Sequence, residues 1–211
     1  MMVQILRIDS SSRLQGSHSR ELADFFQATW LQQYPDDEVI RRDLVAVPIP
    51  HITETTIAGY YTPQEQHTEA MQAATALSDE LIAELMAADV LLLSVPMYNF
   101  SIPSSLKAYI DQIVRVGYTF DMDPERGFYG LVENKQAFVT VAYGAAGYLE
   151  GPFSAMNFLE PYLEALLGFL GIKDIKFFAV EGTSVDPSAF AITKQQIMAS
   201  IEHLVQTYRQ P

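Results

Sequence analysis

The chain has 211 residues, 49% of them apolar and 18% charged, which is enough to bury one full core and too apolar for a disordered polymer. Its 13 Lys and Arg against 26 Asp and Glu give a formal charge of −13, which argues against a protein that tracks nucleic-acid phosphates or holds an anionic bilayer by charge. Cysteine is absent, so disulfides, thiolate nucleophiles, Fe–S clusters and Cys-bound zinc are ruled out together.

The opening stretch MMVQILRIDSSS meets a charge after six residues, at Arg7, and carries no long apolar segment, so it does not read as a signal peptide. No run of about 18 apolar residues occurs, so no membrane span is expected. These features point to an acidic, cytoplasmic protein, with residues 1–211 read as a single domain.

Five short apolar runs are expected to be strands: Val3–Ile8, the more polar Val39–Leu44, Asp89–Val95, Gln136–Ala142 and Ile175–Val180. Asp89–Val95 (DVLLLSV) is apolar without alternation, as befits a parallel strand covered on both faces. Helical spacing appears between them. Leu22, Phe25, Phe26 and Trp30 mark His18–Tyr34, and Leu106, Tyr109, Ile110, Ile113 and Val114 mark Ser104–Arg115. Ala70–Ala87 and Ser188–Tyr208 supply two more. This alternation predicts an α/β fold, a doubly wound five-stranded parallel sheet with helices on both faces. Length and strand number favour the flavodoxin-like order 2-1-3-4-5, which puts a ligand beyond the carboxyl ends of the first and third strands. Two segments, Val45–Pro63 and Tyr118–Leu131, are long for plain connections and are expected to be lids or binding loops.

Three segments carry chemistry. Asp9–Arg20 (DSSSRLQGSHSR) leads into the first helix, whose unpaired N–H groups and positive dipole end suit a phosphate. Ser17 and Ser19 add hydroxyls, Gly16 permits close approach, and Arg7, Arg13 and Arg20 face Asp9 alone. The same residues also read as a Ser-rich turn with a helix cap. Neither a P-loop nor a GxGxxG follows the strand, which favours a monophosphate over a triphosphate with Mg²⁺. Pro96–Ser105 (PMYNFSIPSS) puts Met97, Tyr98 and Phe100 around the amide of Asn99, a set that fits a flat ring with polar edges or simply covers the sheet end. Thr140–Pro152 (TVAYGAAGYLEGP) offers Gly144 and Gly147 for close main-chain approach, a weak signal when taken alone.

In this order the segments resemble the FMN-dependent NADH-azoreductase family, also described as quinone reductases. The resemblance covers nearly the whole chain, including Ile102–Asp111 (IPSSLKAYID), Thr119-Phe120 and Leu167–Ile172 (LGFLGI). It implies FMN as cofactor, with Ser11, Ser17, His18 and Ser19 at the phosphate and ribityl end. Met97, Tyr98, Asn99 and Phe100 would hold the isoalloxazine, and Tyr143, Gly144, Ala145 and Ala146 would line its other side. Where the family often carries an Arg-Gly-Gly type sequence, this chain has Tyr143-Gly144-Ala145-Ala146, which removes a cation and adds an aromatic ring.

The expected activity is electron transfer from NADH, with NADPH also possible, to quinones and azo compounds by a ping-pong scheme through one slot. No catalytic acid or base is assigned; Tyr118, Phe120 and Tyr143 are candidates for shaping the slot, with a plain core or lid role equally open for each, and Arg126 is a candidate for a 2′-phosphate contact. A flavodoxin-type electron carrier is the alternative. A Ser hydrolase built on Asp9-Ser10 with His51, His67 or His203 lacks the GxSxG elbow. The four His residues show no paired metal-ligand spacing. The apolar run Met156–Leu170 is too broad for one sheet face, and with the resemblance it leads to an expected homodimer.

Overall fold

The computed structural model describes residues 2–125, 127–185 and 187–209. Its elements alternate along the chain. Strand β1 (Gln4–Asp9) leads into helix α1 (His18–Gln33), which is followed by β2 (Glu38–Asp43), α2 (Glu54–Tyr61), α3 (Glu69–Ala87) and β3 (Val90–Pro96). The second half runs α4 (Ser104–Ile113), β4 (Phe120–Asp123), β5 (Gly127–Gly130), β6 (Gln136–Ala142), α5 (Glu160–Leu170), β7 (Asp174–Val180) and α6 (Pro187–Thr207).

The large sheet has the order β2-β1-β3-β6-β7, and every neighbouring pair in it is parallel. Counted along the sheet's own strands this is the expected 2-1-3-4-5 order. Strand parity divides the core. Ile5, Leu92, Phe138 and Phe178 pack with Phe26 and Trp30 of α1 and with Ile201 and Val205 of α6. Leu6, Leu91, Leu93 and Val139 turn the other way, onto Leu81 and Leu85 of α3, Leu106 and Tyr109 of α4, and Leu163 and Leu167 of α5. Trp30 is fully buried and its indole N–H donates to Asp37 Oδ2 at 2.8 Å, so a large apolar ring is covered without stranding its polar atom.

Two expectations are corrected here. Val45–Pro63 is not a structureless loop, since it contains α2. That helix is poor in strong helix formers and starts on a reciprocal cap: Thr53 Oγ1 accepts from Thr56 N–H, and Thr56 Oγ1 accepts from Thr53 N–H. Tyr118–Leu131 contains the antiparallel pair β4–β5, seated on α5 through the Phe120–Phe169 contact, with ring centroids 4.8 Å apart. Helix α5 also begins later than the apolar run does, with Pro161 in its first turn, where a missing N–H costs nothing. Among the described residues no helix is long and apolar enough to cross a membrane.

The connection from β1 goes to β2 on one side, whereas the chain then returns to place β3 on the other side of β1. The carboxyl ends of β1 and β3 therefore open onto a crevice that no crossover helix covers.

Candidate functional site

That crevice is real. It holds about 490 Å³ of empty space, part of it open to solvent, between the loop after β1, the first turn of α1 and the ends of β3 and β6. Ser11, Ser17, His18 and Ser19 line it from one side, with Met97 and Tyr98 opposite and Gly144 at the edge. Seven of the twelve residues picked out in the sequence thus meet around one space, although they come from three separate loops.

The α1 end gathers hydrogen-bonding groups at the positive pole of the helix dipole. Ser17 sits at the N-cap with extended backbone, φ −90° and ψ 116°, and its Oγ lies 3.3 Å from Ser19 Oγ. Both side chains are drawn together at the positive end of the helix, where first-turn N–H groups have no intrahelical acceptor. His18 Nδ1 approaches Glu21 Oε2 at 3.5 Å, and its ring meets Phe190 edge-on at 4.6 Å. Tyr98 reaches across the crevice, its hydroxyl 3.4 Å from Ser11 Oγ and accepting from Ser12 N–H at 3.2 Å.

The arginines do not act as a group. Arg7 is buried, with Nη2 3.1 Å from Asp9 Oδ1 and 2.7 Å from Asp24 Oδ1, and Arg20 is paired with Asp43 at 2.5 Å. Burial beside carboxylates spends both charges on the fold. Arg13 is different: it lines the crevice, is exposed, and forms no ion pair among the described residues. Its charge is thus uncommitted on the crevice wall.

Asn99 and Phe100 do not line the crevice; they form the tip of the turn beside it. Tyr98 N–H donates to Ser101 O at 3.0 Å and Ser101 N–H to Tyr98 O at 3.1 Å, with φ 47° at Asn99 and 73° at Phe100. Positive φ at both central residues is the type I′ turn geometry, which glycine and asparagine tolerate and phenylalanine seldom adopts. Phe158 N–H clamps the turn by donating to Phe100 O at 3.0 Å. An aromatic residue at positive φ is strained, and the surrounding contacts hold it there.

The third segment divides. Gly144 reaches the crevice, while Ala146 faces a neighbouring apolar recess with Leu149, Gly182 and Phe190. Ala145 lines neither space. Tyr143 is fully buried, its hydroxyl donating to Glu160 Oε1 at 2.6 Å and its ring stacked on Tyr148 at 5.5 Å. Its side chain therefore points into the core, away from the crevice, and the expectation that it shapes the slot directly is corrected. Burial and then the Glu160 bond hold the Tyr143 hydroxyl well above the ordinary phenol range, while burial also raises Glu160. Tyr118 and Phe120 likewise lie away from this crevice; the Arg115 guanidinium sits 4.0 Å over the Tyr118 ring. Arg126 lies outside the described residues.

Thr183 and Ser184 line the crevice too, although the sequence reading passed over them. Thr183 N–H donates to Tyr143 O at 3.2 Å and Ser184 N–H to Gly144 O at 3.0 Å, which joins the loop after β7 to the glycine loop. The only signal was Gly182-Thr-Ser after the last strand, in the same position as the other loops. The hydrolase alternative built on Ser10 is not supported: Ser10 is buried with Oγ donating to Ser94 O at 2.8 Å. His67 Nε2 lies 3.0 Å from both Gly59 O and Thr62 O, at the end of α2. Among the described residues no group of three or more His, Cys, Asp and Glu is placed to hold a metal ion.

A crevice at the switch point of a five-stranded parallel sheet, with a Ser-capped helix end, is the arrangement that flavodoxin-like proteins use. The model of the Flavodoxin_2 family, described as a flavodoxin-like fold, matches residues 3–204. The chain belongs to this family. Among curated relatives, this Flavodoxin_2 protein is 52% identical over 176 residues to an FMN-dependent NADH:quinone oxidoreductase of Xanthobacter autotrophicus, covering 83% of this chain and 84% of that one. A Hydrogenovibrio crunogenus protein of the same description is 43% identical over 202 residues, 96% and 99% of the two chains. Among solved structures, the azoreductase from Bacillus anthracis superposes with a TM-score of 0.90 at 25% identity, covering 98% of this chain and all (100%) of that one.

Proposed function

We propose that this Flavodoxin_2 protein is an FMN-dependent oxidoreductase that passes electrons from NADH to quinones and azo compounds. The observation that carries the reading is the meeting of Ser17, Ser19 and Tyr98 in one switch-point crevice. Relatives named for FMN and NADH:quinone chemistry, matched over most of both chains, support it.

The residues present fit FMN. Its dianionic phosphate suits the α1 end, where Ser17 and Ser19 offer hydroxyls, first-turn N–H groups offer donors and Arg13 offers charge. Its flat ring suits the span between Met97–Tyr98 and the glycine at 144, because a thioether and an aromatic edge pack on a ring face while a glycine lets the main chain come close. Bound there, FMN supplies two-electron transfer between a nicotinamide donor and a quinone or azo acceptor.

The chain's own part is to bind, orient and shield. The Ser17 cap fixes where the phosphate sits, Tyr98 closes over Ser11, and the Asn99–Phe100 turn presents an amide and a ring, Phe100 being 42% exposed. A single open slot serves donor and acceptor in turn, which gives a ping-pong sequence and needs no second dinucleotide site. The acidic surface offers no long-range attraction for a further phosphate, so NADH is preferred to NADPH. Two copies pair over the apolar rim in which Phe158, 58% exposed, abuts Phe100; a monomeric mass by light scattering at micromolar concentration would overturn that pairing.

The test of the function is direct. Purified protein is mixed with FMN, desalted and scanned, then treated with NADH without oxygen. Retained oxidised-flavin bands that NADH bleaches and a quinone restores are expected. A desalted protein with no visible absorption would sink the reading.

A further inference from the structure

Tyr143 and Glu160 take no part in the crevice, yet they sit where its two ring-side loops are joined. The segment Asn157–Glu160, just ahead of and into α5, touches both loops at once. Phe158 N–H donates to Phe100 O at 3.0 Å and holds the strained turn. Two residues on, Glu160 Oε1 accepts from Tyr143 Oη at 2.6 Å, and Asn157 Nδ2 donates to the same hydroxyl at 3.1 Å. Asn157 Oδ1 meanwhile accepts from Leu159 N–H at 3.2 Å, which keeps the segment folded on itself.

We infer that Tyr143 and Glu160 are positioning residues, whose hydrogen bond ties the glycine loop to the segment that clamps the Asn99–Phe100 turn and so fixes the spacing between the two sides of the ring site. The inference rests on the flavin reading above.

Three further contacts give the tie its reach. Tyr143 N–H and C=O are both committed, to Val180 O at 2.8 Å and from Thr183 N–H at 3.2 Å, so the residue cannot shift without moving Gly144 beside it. Tyr148 stacks on Tyr143 with centroids 5.5 Å apart and meets Phe100 at 6.5 Å, linking the loops a second time. Glu181 pins the far end of the glycine loop by accepting from Tyr148 N–H at 2.6 Å and Leu149 N–H at 2.9 Å. Burial, Glu181 and Glu164 all disfavour charge on Glu160, whereas the Tyr143 hydroxyl favours it. A half-buried carboxylate whose acidic neighbours oppose its charge keeps its place through the one phenol aimed at it.

The experiment compares wild type with Tyr143→Phe, Glu160→Ala and Glu160→Gln in the full chain, at a temperature where circular dichroism shows each apoprotein folded. FMN is titrated by its absorbance and fluorescence. Tyr143→Phe keeps the buried ring and removes only the hydroxyl; with Glu160→Ala it is expected to raise the FMN Kd about tenfold, the size of one lost charge-assisted hydrogen bond. Glu160→Gln still accepts from the phenol and should stay within about twofold of wild type. Steady-state kinetics at saturating FMN should show the KM for the acceptor rising more than kcat falls. If wild type binds FMN and Tyr143→Phe binds it equally well while melting at a lower temperature, the tie serves stability alone and the inference fails. If wild type itself retains no FMN, the flavin reading fails and takes this inference with it.

Discussion

Arg20 and Asp43 form a two-pronged ion pair at the α1 end of the crevice, with Nη1 2.5 Å from Oδ2 and Nη2 2.9 Å from Oδ1. Arg20 belongs to the first turn of α1 and Asp43 ends β2, so the pair fixes the helix against the sheet. Its Nη2 also donates to Ser11 O at 2.8 Å, and Asp43 Oδ1 accepts from Val45 N–H at 3.0 Å. The loop that carries the serines is thereby tied at Ser11 to the guanidinium that anchors α1 on β2.

The Arg20 hydrogen bond holds the Asp43 carboxyl well below the ordinary carboxylate range, against the opposing effect of burial. A depressed folded-state pKa contributes stability that is complete above the unfolded value of about 3.9 and is lost as pH falls below it. Asp43→Asn is expected to cost about 2–3 kcal/mol at pH 7, since it leaves Arg20 buried and half-paired. Urea unfolding from pH 7 to pH 3 checks both parts: the gap between wild type and variant should narrow by about 1 kcal/mol below pH 5. A gap that stays constant with pH would show that the Asp43 charge is not what the pair contributes.

Arg13 is expected to matter only when ligand is present. Its side chain is exposed in the crevice wall, so Arg13→Ala should leave the unfolding midpoint of the apoprotein within about 0.5 kcal/mol of wild type. The same change should weaken FMN binding about tenfold at low salt and less at high salt, because an exposed charge is screened. Isothermal titration at two salt concentrations reads this; equal affinities for variant and wild type would remove Arg13 from the phosphate site.

Much of the fold is legible in the chain, and the reason is parity. Strands such as Val90–Pro96 are buried on both faces, so they appear as unbroken apolar runs, and the helices between them carry a single apolar stripe. What escapes is whatever depends on partners far along the chain. Arg7 and Arg20 look like a basic cluster until Asp24 and Asp43 close on them. Tyr143 follows a strand covered on both sides, where apolar pattern gives no sign of which way a side chain points, and its direction is fixed by Glu160, Asn157 and the Tyr148 ring, all further along the chain. The hairpin Phe120–Gly130 has two strands of four residues each, too short for alternation to register. The crevice serines were legible because an N-cap is a local device, set by residues within one turn.

The Asn99–Phe100 turn separates backbone from side-chain roles. With φ 47°, Asn99 occupies a region that costs alanine roughly 1 kcal/mol and glycine nothing. Asn99→Ala should therefore destabilise the apoprotein by about 1 kcal/mol, while Asn99→Gly stays within about 0.5 kcal/mol. Both lose the amide, so both should release FMN faster on desalting than wild type does. Thermal melts and retained flavin absorbance decide the matter: glycine variants that keep their flavin would assign the turn's contribution to its main chain alone.

Gly130 offers the sharpest steric test. A Cβ built there would lie 2.1 Å from the carbonyl carbon of Leu170 and 2.2 Å from Gly171 N, both main-chain atoms that cannot rotate aside. The contact exists because the end of β5 lies directly on the last turn of α5, where Val132 N–H donates to Leu170 O at 2.8 Å. Gly127, by contrast, has open space around it and only an unfavourable φ of 79° for a side chain. Gly130→Ala is expected to cost about 3 kcal/mol, in the range of a seriously overpacked core, and Gly127→Ala about 1 kcal/mol. Hydrogen exchange should show lost protection along Phe120–Gly130 in the first variant and a change confined to the hairpin bend in the second. Because the hairpin rests on α5, whose first turn carries Glu160, its displacement should also loosen FMN. A Gly130→Ala protein with wild-type protection would mean that the added methyl is accommodated without moving β5 off α5.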